Sequence, residues 1–143
     1  MTTTVTRETL TWRSLGFTED INECDICGKQ ELKGTVHMVI VSSEVGRTEE
    51  EVHAGVVCAA RRVGTTAKVI RHAADEADKA ARDAWSNWSS ARHDAEYAIT
   101  QAWLDAHGLK REFGTYVQAR EACATDVAAW DAANPAPARP KGW

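Results

Sequence analysis

A small α+β module of treble-clef type, a β-hairpin plus a short helix, followed by an antiparallel long-helix/short-helix hairpin, is the fold class this sequence predicts, mostly α overall. Three observations predict it. Cys24-Asp25-Ile26-Cys27-Gly28-Lys29 has the shape of a metal-binding knuckle. His53 and Cys58 supply two further ligand types around the predicted start of a helix. Residues 66–107 then run in a helical pattern that no Gly or Pro interrupts.

Residues 1–20 are polar, with Trp12, Leu15 and Phe17 scattered among them. They form an N-terminal arm that either packs on the module or frays. After the knuckle, Thr35-Val36-His37-Met38-Val39-Ile40-Val41 is β-branched and predicts a strand. Residues 42–48, with Gly46, predict a turn, and 50–53 a short returning strand. Gly55 permits a sharp change of direction into a helix at 56–63. Knuckle, hairpin and helix follow one another in the order of a treble clef.

Gly64-Thr65-Thr66 ends that helix and offers a new N-cap. The long helix at 66–107 should stop at Gly108 in the left-handed cap position, with Leu109 closing back on Leu104. A second helix is expected from a capping box at Thr115-Tyr116-Val117-Gln118 and should end before Asn134-Pro135. The boundaries expected are therefore 1–64 for the metal module with its arm, 65–133 for the helical hairpin, and 134–143 for a Pro-rich disordered tail. Trp143 is either a docking residue or simply the end of the chain.

The long helix carries an apolar seam at steps of four and three, from Val63 through Ala67, Ile70, Ala74, Ala77, Ala81, Ala84 and Trp88 to Ala102. The second helix has a stripe of its own at Tyr116, Ala119, Cys123, Val127 and Trp130. At roughly 1.5 Å per residue the long helix would measure about 63 Å and the second only about 27 Å. The short helix thus reaches the C-terminal half of the long one and leaves Ile70, Ala74, Ala77, Ala81 and Ala84 uncovered. That seam is the expected surface for a protein partner or for self-association.

Cys24, Cys27, His53 and Cys58 form a Cys3His set that suits one tetrahedral Zn²⁺ per chain. A redox Cys-x-x-Cys needs a strand-to-helix junction in a βαβ unit, whereas Gly28-Lys29-Gln30-Glu31 leads into a hairpin. His53 stands five residues before Cys58 with Gly55 between them, so a turn there brings both donors to one ion. His37, in mid-strand, and a carboxylate or water are the alternatives for the fourth position. His72, His93 and His107 belong to a solvent-facing helix surface. Cys123, on the apolar stripe, reads as a small core hydrophobe. Trp85, Trp88, Trp103 and Trp130 sit at helical spacing and read as hairpin core or interface anchors.

The net charge is −4, spread evenly: 7 basic and 10 acidic side chains in residues 1–64, 8 and 11 in residues 65–133. No half has the cationic excess that drives phosphate-backbone binding. Lys29, Lys33, Arg61 and Arg62 form the one basic patch on which the alternative, nucleic-acid binding, rests. No apolar stretch approaches the length of a membrane span, and no signal-like start is present, so a cytoplasmic location is expected. Reduced, clustered cysteines in that compartment hold metal more often than they pair. A fully protein-ligated zinc leaves no position for substrate, and no phosphate loop or Ser/His/Asp constellation stands out. An enzyme is not expected.

The knuckle, together with Val52-His53-Ala54-Gly55-Val56-Val57-Cys58-Ala59-Ala60-Arg61-Arg62-Val63-Gly64, resembles a recurrent class of small zinc-finger proteins of actinobacteria and their phages. The resemblance covers about residues 22–107, including the Ala-rich charged helix behind the finger. It implies a treble-clef-like finger, a zinc ion, and a phage or actinobacterial cytoplasm, and it supplies no substrate. The expectation that follows is a non-enzymatic zinc-binding accessory or adaptor protein acting through protein–protein interaction.

Overall fold

The computed structural model describes residues 10–43, 46–140 and 142–143. Residues 1–9 of the arm, Glu44 and Val45 of the expected turn, and Lys141 of the tail lie outside the described residues. Strands β1 (Leu10–Thr18), β2 (Thr35–Ser42) and β3 (Thr48–Ala54) precede helices α1 (Val56–Val63), α2 (Ala67–Ala106), α3 (Phe113–Ala122) and α4 (Ala124–Ala133). The chain divides into two compact units, one ending at Ala80 and one running from Ala81 to Trp143.

In the first unit the strands form one antiparallel sheet in the order β1-β2-β3. The β2–β3 hairpin is the one the β-branched run predicts. β1 adds a third strand to the expected hairpin, so that residues 10–18 of the arm pack on the module rather than fray. Its inner positions Leu10 and Trp12 pack on the core, and Trp12 lies opposite Ile40 of β2. A bulge between Ser14 and Gly16 then shifts the register. Gly16 takes φ +117° there, and a Cβ on it would stand 2.2 Å from Oδ1 of Asp78. The same carboxylate accepts the Phe17 N–H through Oδ2 at 3.3 Å, so the bulge is fastened to α2. Gly16→Ala should therefore cost about 1–3 kcal/mol of backbone strain and lower the melting temperature by several degrees. An unchanged thermal transition would show that the bulge is relaxed without glycine.

β2 is the centre of the core. Val36, Met38 and Ile40 point to one face and meet Val52 and Ala54 of β3, Ala59 and Ala60 of α1, and Ile70 and Ala74 of α2. Full burial of such side chains contributes roughly 1.5–3 kcal/mol each. This packing moves the expected boundary from 64/65 to the middle of α2. It also corrects the expected partner seam: Ile70 is 1% exposed and Ala74 2%, both covered by the unit's own sheet. Ala77 is half-buried, and only Ala81 and Ala84 are exposed.

The second unit is the helical hairpin. α2 ends where expected, with Gly108 at φ +64° and the Leu109 N–H donating to the Leu104 carbonyl at 2.9 Å. The returning arm is two helices rather than one, broken at Cys123, which caps both. Its N-cap is Glu112, whose side chain accepts from the backbone at Thr115 while the Thr115 hydroxyl accepts the Glu112 N–H. The box thus begins three residues before the expected Thr115. The predicted stripe does face inward: Ala119 and Cys123 are buried, and Tyr116, Val127 and Trp130 half-buried. Antiparallel pairing is fixed by the Tyr116 hydroxyl on Glu96 at 3.0 Å and by Arg92 on both Asp131 oxygens at 2.9 and 3.1 Å. Arg111 ties the turn by donating to the Tyr97 carbonyl, Thr100 and Gln101 while its guanidinium lies 4.1 Å over the Tyr97 ring. The tail carries no regular element, yet residues 134–140, expected to be disordered, lie back on the hairpin. Trp88 Nε1 donates to the Asn134 carbonyl at 2.9 Å, Arg139 reaches the Trp85 ring, and Pro140 is buried.

Candidate metal centre

Residues 19–34 carry no regular element and are shaped by a few backbone bonds. Gly28, at φ +74°, turns the chain so that its N–H donates to the Cys24 carbonyl at 2.8 Å. The Cys24 N–H donates to the Lys29 carbonyl at 2.9 Å, which closes the knuckle. Asp25 then binds the knuckle to β3: its N–H donates to the His53 carbonyl at 2.8 Å and its Oδ2 accepts the His53 N–H at 2.7 Å. Cys58 arrives from the first turn of α1, and the Gly55 N–H points at the Cys24 sulfur at 3.4 Å. Gly55 itself has ordinary dihedrals, so its role is that N–H. The result is a group of three thiols, Cys24, Cys27 and Cys58, with ligand atoms within 4.8 Å of one another.

Three thiols this close do not ionise independently. Burial alone would raise the Cys24 thiol, but hydrogen bonds from the backbone N–H groups of Cys27, Gly55 and Ile26, and from the Cys27 side chain, bring it from 9.0 to about 7. Cys58 moves the other way, to about 11, through its hydrogen bond with Cys27, burial, a hydrogen bond with Cys24 and the neighbouring thiolate charge. A dication among the sulfurs removes that conflict, because metal ligation needs the thiolates. The donor set fits a thiophilic divalent ion.

His53 does not join the thiols, which corrects the expected Cys3His set. The reason is strand periodicity: Val52 and Ala54 are buried, so the side chain between them turns to the opposite sheet face. His53 stands opposite His37, and its backbone groups are taken by Asp25 rather than β2. The pair is therefore of the non-hydrogen-bonded type, where side chains approach closely. Their rings stack with centroids 4.2 Å apart and 12° between planes, and His37 Nε2 meets Glu51 at 2.5 Å. His53 serves the centre through its backbone alone. His53→Ala and His37→Ala should thus retain metal equally under a competing chelator, each losing only about 0.5–1 kcal/mol of cross-strand packing. Selective metal loss from the His53 variant would overturn this placement.

A cleft of about 360 Å³ opens at the thiols, lined also by Lys29, Lys33 and Arg71 and by Leu32, Val56 and Val57. The expected basic patch is thereby split. Lys29 and Lys33 sit at the thiols, whereas Arg62 lies 3.9 Å from Glu50 and Arg61 is exposed elsewhere on α1. Two residues escaped the sequence reading: Asp25, although it lies between the cysteines, and Arg71, which reaches the site because its neighbour Ile70 is drawn into the core. Comparison of the chain with protein-family models, with curated proteins and with solved structures gives no match.

Proposed function

We propose that this chain is a non-enzymatic zinc-binding accessory protein that works in the cytoplasm by engaging a protein partner or a second copy of itself. The observation that carries the metal reading is the convergence of Cys24, Cys27 and Cys58 from two separate segments. The order knuckle, hairpin, helix supports the treble-clef assignment, and the thiolate-rich donor set favours one Zn²⁺ per chain. Support for a binding role is that the cleft at the thiols is lined by cations and apolar side chains, with no acid or histidine among them. No helix among the described residues is long and apolar enough to cross a membrane.

The helical unit offers the surface for a partner. Phe113 is 86% exposed and stands between two clefts, shared on one side with Tyr97 and Tyr116 and on the other with Tyr116 and Val117. Large aromatic anchors of this kind dominate interface energetics. Elemental analysis of protein purified without chelator should find one zinc per chain, and Phe113→Glu should abolish co-purification of the partner without changing the metal content. Absence of bound metal would defeat the proposal. Nucleic acid is the second reading, because Lys29 and Lys33 line the centre and make no ion pair among the described residues. It demands binding that falls steeply with salt and weakens in the Lys29→Ala, Lys33→Ala double variant.

A further inference from the structure

Three cations converge on the thiol cleft from separate parts of the first unit. Lys29 and Lys33 come from the knuckle segment and Arg71 from α2. All three are exposed, and among the described residues none of them makes an ion pair. Cys27 is exposed and Cys58 half-buried on the same cleft, while Cys24 closes its inner end. Among the described residues no histidine or carboxylate joins the three sulfurs. Zinc sites in proteins are nearly always four-coordinate, and those with three protein ligands take the fourth from solvent or a bound molecule.

We propose that the centre takes a phosphate dianion, as inorganic phosphate or the terminal phosphate of a small monoester, with one oxygen on the metal and the others held by Lys29, Lys33 and Arg71. The inference rests on the metal reading above. Charge decides the class of ligand. Three thiolates around a dication leave one negative charge, and the three cations lining the cleft turn this into two positive ones; the Asp25 carboxylate is turned to the His53 N–H and does not line the cleft. Phosphate carries about −1.5 to −2 at neutral pH and brings the site to near balance. A carboxylate or a phosphodiester brings one charge and leaves an excess. Arg71 supplies a planar fork for two oxygens, and the lysines act as point charges. At about 360 Å³ the cleft exceeds a bare phosphate and admits the organic part of a monoester.

The test uses the full chain loaded with Co²⁺, whose visible absorption reports the ligand set of the metal. Cobalt content is measured first, and phosphate-free protein is then titrated with inorganic phosphate, acetate, dimethyl phosphate and an oligonucleotide without terminal phosphates. A saturable spectral change with phosphate is expected, with acetate and the diester weaker by at least about tenfold. Arg71→Ala and Lys33→Ala should each weaken phosphate by about tenfold or more while holding cobalt fully. Full cobalt loading with no response to phosphate overturns the inference and leaves the metal reading intact. Equal responses to acetate and phosphate overturn the charge argument. Tighter binding of the oligonucleotide, lost in the same variants, replaces phosphate with nucleic acid. A chain that takes up no cobalt defeats the metal reading and this inference with it.

Discussion

Cys24→Ser is expected to abolish stoichiometric metal binding and to lower the stability of the first unit by about 3 kcal/mol or more, a fall of over ten degrees in its thermal midpoint. Two effects add. An ion on the three thiols would link the knuckle to α1, and without it residues 19–34 are held by the Asp25–His53 pair, the Cys24–Lys29 and Cys24–Gly28 contacts, the Asn22–Leu32 pair and the Thr35–Ile21 bond. Cys24 is also part of the core at 1% exposure, so the smaller serine leaves that space underfilled and reaches less well the N–H groups that the sulfur accepts. The sheet has its own core in Met38, Ile40 and Ile70, so the loss should concentrate in the knuckle. Amide hydrogen exchange should show Cys24, Asp25 and Gly28 deprotected while β2 keeps slow exchange. Far-ultraviolet circular dichroism should change little, because most helix lies in α2, α3 and α4. A variant that keeps one ion per chain would mean the thiols are not its ligands.

Ala74→Glu is expected to unfold the first unit, whereas Ala81→Glu and Ala84→Glu should stay within about 0.5 kcal/mol of the parent. All three positions lie on one seam of the same helix. At Ala74 the longer side chain would be forced into a core of Val36, Met38, Ile40 and Ile70, or would push out into the cleft where Arg71 and Asp75 lie, and either way breaks the seal of α2 on the sheet. An unpaired buried charge costs several kcal/mol, comparable to the whole stability of a unit this size. Ala81 and Ala84 are exposed, so a charge there remains in water. Urea denaturation of the three variants, followed by circular dichroism and by exchange of β2 amides, checks the contrast. Equal stability of the three would show that α2 does not cover the sheet.

Much of this was legible because local chemistry settled it. The β-branched run fixed β2, α1 falls at 56–63 as expected, and Gly108 marked the end of α2. Other features were hidden for stated reasons. β1 alternates in exposure along its whole length, but the apolar Leu15 and Phe17 fall on its exposed positions and Ser14 and Gly16 on its inner ones, so the residue types show no period of two. A heptad seam says that α2 buries one face and not what buries it, so Ile70 and Ala74 looked unpartnered. His53 has the right spacing for a ligand. Only the strand around it, with Val52 and Ala54 inward, shows that the ring faces away. The break at Cys123 leaves no Gly or Pro to announce it. The knuckle cysteines carried over intact, since Cys-x-x-Cys-Gly sets its own geometry.

The sheet order places β3 at an edge, and that has a bearing on colloidal behaviour. An uncovered edge strand is a template on which further chains can stack. Here the end at His53 is occupied by Asp25 of the knuckle, and the rest of the strand begins Thr48-Glu49-Glu50-Glu51. The glutamate carboxylates project from both faces of the edge beside Arg47, Arg62 and His37, so a second copy docking there would have to strip water from a row of charged pairs. Charge thus guards an edge that packing leaves open, and replacing all three glutamates by glutamine should make the protein more prone to aggregate.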